Sequence, residues 1–374
     1  MKTIIIGPGH PLRGGIANFN ESLCVELNKS GIEAKVFSFK LQYPSFLFPG
    51  KTQYASGPGP EGIIIKPLIN SINPFNWIKV AAMINREAPD FVIIRYWLPF
   101  MGPCLGSIAR LINNKTKVIA ITDNVIPHEK RPGDRLFTNY FVKACHGFVA
   151  MSASVLDDLK QFIPNAHTRF LPHPIYDIFG SKVLKEEALK ELGLNPSDKH
   201  ILFFGFIRKY KGLDLLLSAL HDKRLKEANV KLIIAGEYYE DQTYYEKIIN
   251  KYDLRNQVIL RTNYIPAEKV KYYFCAADLV AQPYRSATQS GITQIAYHFE
   301  RPMLVTNIGG LPEIVEDGKV GYVVSPEPIG IANAIHAFYS DNKEAEFAVN
   351  VQEGKKRFAW NTFVDGLLGL VKSL

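Results

Sequence analysis

Short apolar runs of strand length recur along the whole chain, each followed by a stretch whose apolar residues return every three or four positions. The first half carries TIIIG (3–7), EAKVFSF (33–39), GIIIKPL (62–68), FVIIRYW (91–97), KVIAITD (117–123) and GFVAMS (147–152). Between the first two, Ile16, Phe19, Leu23 and Leu27 mark one face of a helix that stops before Gly31. The second half restarts with HILFFGF (200–206), VKLIIAG (230–236), QVILRTN (257–263), DLVAQPY (278–284), PMLVTNI (302–308) and VGYVVSP (320–326). Such alternation is the signature of parallel sheets wrapped by helices.

At 374 residues the chain is too long for one ordinary core, so two domains of roughly 150 to 200 residues are expected. Periodicity gives way to prolines and a glycine in LPHPIYDIFGSKV (171–183), which sets the junction. The expected division is one doubly wound α/β domain over 1–176, a second over 177–355, and a closing helix over 356–374 that crosses back to the first. Two such domains facing across a cleft would present strand C-termini and helix N-termini to it, where ligands of these sheets bind.

Lys and Arg number 44 against 36 Asp and Glu, a net charge of +8. That balance favours anionic partners such as nucleic acid, phosphorylated metabolites or an acidic membrane face, with a solvated basic surface as the plain alternative. Cys24, Cys104, Cys145 and Cys275 lie far apart without a C-x-x-C pair, which argues against a zinc site or a disulfide framework and for a reducing compartment. MKTIIIGPGH is too short in apolar residues for a signal peptide, and no run approaches the ~18 to 20 of a membrane span. The expectation is a cytoplasmic protein, with peripheral contact at the inner face of an acidic membrane left open.

Two strand-to-helix loops carry the chemistry. In GPGHPLRGGIANF, glycines including Gly14 and Gly15 let backbone N–H groups approach a ligand at a helix start, and Arg13 beside them favours an anion. The spacing is not that of a dinucleotide fingerprint, because Leu12 stands where its last glycine would fall. A glycine turn needed only for strand-to-helix geometry is the plain alternative. In FFGFIRKYKGLDLLLSAL (203–220), Arg208 and Lys211 fall between Gly205 and Gly212, and two cations in one such loop can bracket a diphosphate.

The second half resembles a known family. F-G-x-x-R-x-Y-K-G-L-D-x-L-L (204–217), IIAGE (233–237), AADLVAQPY (276–284) and GGLPEIVEDGKVGYVV (309–324) are similar in order and spacing to the C-terminal half of a family 4 glycosyltransferase of GT-B architecture. The glycine loop at 14–15 and the terminal WNTF (360–363) extend the likeness over nearly the whole chain. The resemblance implies two Rossmann-like domains, and a nucleoside diphosphate sugar donor held mainly by the second. It also implies a saccharide or lipid-linked acceptor near the first, on the side of Arg13, and retention of anomeric configuration. It implies no cofactor and no metal, and no D-x-D motif is present. It places Arg208 and Lys211 on the donor diphosphate, the arginine displaced from the position beside the glycine where Phe206 stands.

Two departures stand out. Counting back from Pro302, the glutamates of the family's E-x7-E motif are replaced by Ala287 and Ile295. Thr288, Gln289, Ser290 and Gly291 remain at that helix start, neutral groups expected to hold phosphate or sugar hydroxyls. Where many members end a strand of the first domain with histidine, Asp123 stands here, followed by His128; these are the candidates for catalytic groups near the reacting carbon. The expected activity is retaining glycosyl transfer in polysaccharide or glycolipid assembly. An epimerase or hydrolase of the same architecture, or a non-catalytic relative, would fit the missing glutamates. Residues 73–88 with FLFPG (46–50) suggest an interfacial surface, although a helix covering a sheet has the same pattern. Basic and aromatic residues are too dispersed for nucleic-acid binding.

Overall fold

The computed structural model describes residues 1–44, 53–55, 57–127, 131–175, 178–287 and 290–374. The chain divides into two compact units, Met1–Pro172 with Trp360–Leu374, and His173–Ala359. It leaves the first unit within the proline-bearing LPHP (171–174) and returns at the WNTF helix.

The first unit holds strands β1 (Lys2–Ile6), β2 (Glu33–Leu41), β3 (Ile64–Asn70), β4 (Phe91–Tyr96), β5 (Lys117–Thr122), β6 (Gly147–Ala150) and β7 (His167–Phe170). They form one parallel sheet in the order β3-β2-β1-β4-β5-β6-β7. Because successive side chains point to opposite faces, Ile4, Ile6, Val92 and Ile94 pack with Ile84, Leu105 and Ile108 on one side. Ile5, Ile93 and Ile119 pack with Phe19, Leu23, Leu27 and Phe363 on the other. The first six strands fall on the apolar runs. The seventh, HTRF, is exposed at every position, so an edge strand of this kind leaves no apolar pattern to find.

The second unit repeats the plan with β8 (Lys199–Phe204), β9 (Val230–Ala235), β10 (Val258–Arg261), β11 (Leu279–Gln282), β12 (Met303–Thr306) and β13 (Gly321–Val324). Its parallel sheet runs β10-β9-β8-β11-β12-β13. In each sheet the order reverses direction beside the first strand, between β1 and β4 and between β8 and β11. Such switch points are where open parallel sheets bind ligands, outside the strand C-termini. The loops after β1 and β8 are the two glycine loops singled out from sequence.

The helix Pro74–Glu87 starts with Asn73, whose side chain accepts from the Asn76 N–H at 3.2 Å, and with proline in its first turn. Val80, Ala81 and Ile84 face the core, and Trp77 donates its indole N–H to the Asn70 carbonyl at 2.8 Å. Phe75 and Ile78 are exposed, at 84% and 57%. The suggested interfacial stretch is thus mainly a sheet-covering helix with an apolar tip; FLFPG lies outside the described residues. No helix among the described residues is long and apolar enough to cross a membrane.

Candidate functional site

At the switch point of the second unit, Gly205 leaves β8 with φ +98°, and the chain turns through Phe206 and Ile207 to Arg208. A 3-10 turn over Lys209–Lys211 follows, then Gly212 and the helix Leu213–Ala219. Gly212 has φ +67°, and a Cβ there would lie 1.9 Å from the Pro283 carbonyl oxygen, so only glycine fits. The loop is held on both flanks. On one, the Ile207 N–H bonds the Glu237 carbonyl at 2.9 Å and the Tyr239 N–H returns to the Ile207 carbonyl at 3.0 Å. The Lys209 N–H also reaches the Glu240 carboxylate at 2.6 Å. On the other, the Arg285 N–H bonds the Tyr210 carbonyl at 2.7 Å.

Lys211 is only 9% exposed. Its ammonium lies 5.5 Å from the Tyr284 ring centroid and would be 3.0 Å from a Cβ on Gly205. Burial pushes its pKa below the ordinary lysine value, and the Arg208 charge pushes the same way. The Arg208 guanidinium lies over the Tyr239 ring at 5.0 Å. Among the described residues neither cation is paired with a carboxylate. Two cations on one loop, neither paired with a carboxylate among the described residues, are an arrangement that suits an anion.

The stretch from Tyr284 to Phe299 contains the helix Gly291–His298, capped by Ser290. The Ser290 Oγ accepts from the Ile292 N–H at 3.2 Å and lies 3.3 Å from the Tyr284 hydroxyl. The Thr293 hydroxyl donates to the Ser290 carbonyl. Ser290 therefore builds the helix mouth itself, and Gly291 opens the helix. Ile295 is 5% exposed in the core with Ala296 and Tyr297, and Ala287 packs against the same cluster. Apolar packing thus occupies the two positions that the count back from Pro302 assigns to the motif's glutamates. Thr288 and Gln289 lie outside the described residues.

In the first unit, Gly14 (φ +122°) caps the helix Gly15–Lys29 and is exposed, as is Gly15. The loop before it is tied down where the Arg13 N–H bonds the Gln53 carbonyl at 2.9 Å and the Ala55 N–H bonds the Pro11 carbonyl at 2.8 Å. Asp123 directly follows β5, and its carboxylate is engaged by Arg95 of β4, Nε to Oδ2 at 2.7 Å and Nη2 to Oδ1 at 2.5 Å. Arg95 is 2% exposed and its guanidinium lies 3.9 Å from the centre of the Phe19 ring. Burial raises the Asp123 carboxyl above its usual range, while the Arg95 charge and hydrogen bonds oppose that rise. Asp123 is thus half of a buried ion pair. Arg95 leaves only one trace in the sequence, a lone charge inside the apolar FVIIRYW. His128 lies outside the described residues.

The two units match two family models. Residues 185–356 match "Glycosyl transferases group 1" and residues 13–177 match "Glycosyltransferase Family 4". The chain belongs to the family 4 glycosyltransferases. Its fold is GT-B, two parallel-sheet α/β domains. A D-inositol 3-phosphate glycosyltransferase of Thermobifida fusca is 26% identical, aligned over 96% of this chain and 89% of its own length. Spore coat protein SA of Bacillus subtilis is 24% identical over 81% and 77%. Among solved structures, Anabaena HepE in complex with UDP superposes with a TM-score of 0.77 at 17% identity, covering 100% of both chains. Sucrose-phosphate synthase from Thermosynechococcus elongatus gives 0.74 at 15%, covering 100% of this chain and 99% of its own. In this glycosyltransferase the group 1 match spans Arg208, Lys211, Ser290 and Gly291, and the family 4 match spans Arg13, Gly14, Gly15 and Asp123.

Proposed function

We propose that this glycosyltransferase takes its sugar from a nucleoside diphosphate sugar whose diphosphate lies against Arg208 and Lys211, and passes it to a hydroxyl of a saccharide or lipid-linked acceptor with retention of configuration. The carrying observation is the pair of cations without a carboxylate partner among the described residues, one of them buried at a strand C-terminus. Solved GT-B neighbours in complex with UDP and with UDP-glucose support the donor class.

In this reading the acceptor oxygen attacks the anomeric carbon on the face of the leaving group. The bond from that carbon to the phosphate oxygen breaks, and the acceptor proton passes to the departing diphosphate. Arg208 and Lys211 stabilise the charge growing on that leaving group, which is the work a metal would otherwise do. Gly14 and Gly15 offer backbone donors at a helix start, Arg13 lies on the acceptor side, and the neutral stretch Thr288–Gly291 takes the sugar and phosphate oxygens. Asp123, gripped by Arg95, would orient a sugar hydroxyl, with His128 as the other candidate. The exposed Phe75 and Ile78 in a chain of net charge +8 would suit peripheral contact with an acidic membrane, and polysaccharide or glycolipid assembly is the expected setting.

The buried Ile295 favours one rival, a relative that binds sugar nucleotides without transferring them. Thermal unfolding against UDP, GDP, ADP and their sugar conjugates, for wild type and an Arg208→Ala, Lys211→Ala double variant, tests the donor site. Stabilisation by one sugar nucleotide, absent in the double variant, is expected. No response from wild type would sink the assignment. Product analysis with the responsive donor and an acceptor panel then separates transfer from hydrolysis, and the anomeric coupling in the product's NMR spectrum reports retention or inversion.

A further inference from the structure

Between the two loops of the donor-site reading stands an ion pair to which the donor assignment gives no part. Asp214, 8% exposed, lies in the first turn of the helix that follows Lys211. Arg285 lies just beyond β11, on the chain that leads to Ser290. Its guanidinium grips the Asp214 carboxylate with both arms, Nη1 to Oδ1 at 2.6 Å and Nη2 to Oδ2 at 2.8 Å. Nη1 also reaches the Lys209 carbonyl at 3.3 Å, and the Arg285 backbone N–H bonds the Tyr210 carbonyl at 2.7 Å. The Tyr244 hydroxyl donates to Asp214 Oδ2 at 3.1 Å, so both carboxylate oxygens are engaged. Burial alone would raise the Asp214 carboxyl; the Arg285 hydrogen bonds and charge, with Tyr244, bring it below the usual range.

The loop holding Arg208 and Lys211 and the chain entering the Ser290-capped helix are therefore fastened by a planar, bidentate contact. A planar fork fixes orientation as well as distance, which a point charge does not. The contact sits next to Gly212, where the two segments already touch too closely for a side chain.

We propose that Arg285 and Asp214 are positioning residues for the donor, their ion pair holding the Arg208–Lys211 loop and the Ser290 helix mouth at the spacing a bound diphosphate requires. This rests on the donor-site reading. Neither residue needs to touch the ligand; they act by removing the cost of ordering the two loops when it binds. Losing such support is expected to weaken binding by about ten- to a hundredfold.

The test is calorimetric titration with UDP, GDP and ADP well below the unfolding temperature, on wild type, Asp214→Asn, Arg285→Ala, Arg285→Lys and an Asp214→Ala, Arg285→Ala double variant. Wild type should bind one of the three. Arg285→Ala and Asp214→Asn should each raise its Kd about ten- to a hundredfold, the double variant no further, and Arg285→Lys should recover little of the loss because an ammonium cannot fork. Thermal midpoints measured alongside give the readout for a merely structural tie. If midpoints fall while Kd stays at the wild-type value, the pair only holds the fold together and the proposal is overturned. Additive losses in the double variant would overturn it as well, since independent effects are not a shared tie. If wild type binds none of the three, the donor-site reading falls and takes this inference with it. The conservative Asp214→Asn variant keeps the comparison open should the alanine variants fail to fold.

Discussion

Replacing Lys211 with methionine should make the ligand-free protein more stable and its complex with a nucleoside diphosphate weaker. Lys211 carries a positive charge where it is 9% exposed, beside another cation and without a carboxylate partner among the described residues. Methionine keeps the length and much of the volume while removing the charge. Relief of an uncompensated buried group is worth about 1–3 kcal/mol, which for a domain of this size raises its thermal midpoint by roughly 2–4 °C per kcal/mol. Because burial holds the folded-state pKa below the unfolded one, the penalty is fully present at low pH and fades as pH rises through the folded value. The gap between variant and wild type should therefore narrow as pH rises towards the ordinary lysine value of 10.5. Binding moves the other way. A charge-assisted contact to phosphate contributes about 1.5–3 kcal/mol, so its loss raises Kd by about 10- to 150-fold. At a concentration 100 times the wild-type Kd, the ligand stabilises wild type by about 2.7 kcal/mol. The variant at the same concentration should gain only about 0.3–1.4 kcal/mol. Thermal unfolding with and without the nucleotide identified for wild type reads both effects in one experiment. A variant that is destabilised without ligand and keeps the full ligand increment would refute the reasoning.

Gly212→Ala should destabilise the second unit by more than ~1 kcal/mol and weaken nucleotide binding, since a Cβ there would meet the Pro283 carbonyl oxygen at 1.9 Å. Gly193→Ala, with a similar φ of +64° but open space around it, should cost less, and urea unfolding of the two variants isolates the close approach. Glu87 bonds Lys35, Lys2 and Lys66 at 2.9, 3.1 and 3.2 Å, contacts that pull its carboxyl down from 4.5 to about 2. Its stabilising effect is present above pH 4.5 and is lost as pH falls towards 2, so urea midpoints of Glu87→Gln and wild type should differ at pH 6 and converge at low pH.

What could be read from the sequence was whatever leaves a local trace. Apolar runs such as HILFFGF sit on buried central strands, so composition alone marks them. HTRF pairs along only one side and is exposed, which removes that trace. The Arg208–Lys211 loop was legible because glycines bracket it and a helix pattern follows at once. The Asp214–Arg285 tie was not, for its partners are 71 residues apart and meet only because β8 and β11 are sheet neighbours. Arg95 and Asp123 met in the same way, through adjacent strands β4 and β5. Asp123 was visible at a strand end, but what engaged its carboxylate was a matter of pairing order.

The helix Trp360–Lys372 has a consequence for the order in which the chain can fold. Trp360 and Phe363 pack on Phe19 with ring centroids 5.2 and 5.5 Å away, in the core of the unit that starts the chain. A ribosome delivers Phe19 before the second unit and its partners after it. The second unit is continuous and can close as soon as it emerges; the first must wait with an apolar slot uncovered until Trp360 and Phe363 have followed. The nascent chain therefore carries an uncovered apolar slot beside Phe19 for as long as translation of the second unit takes.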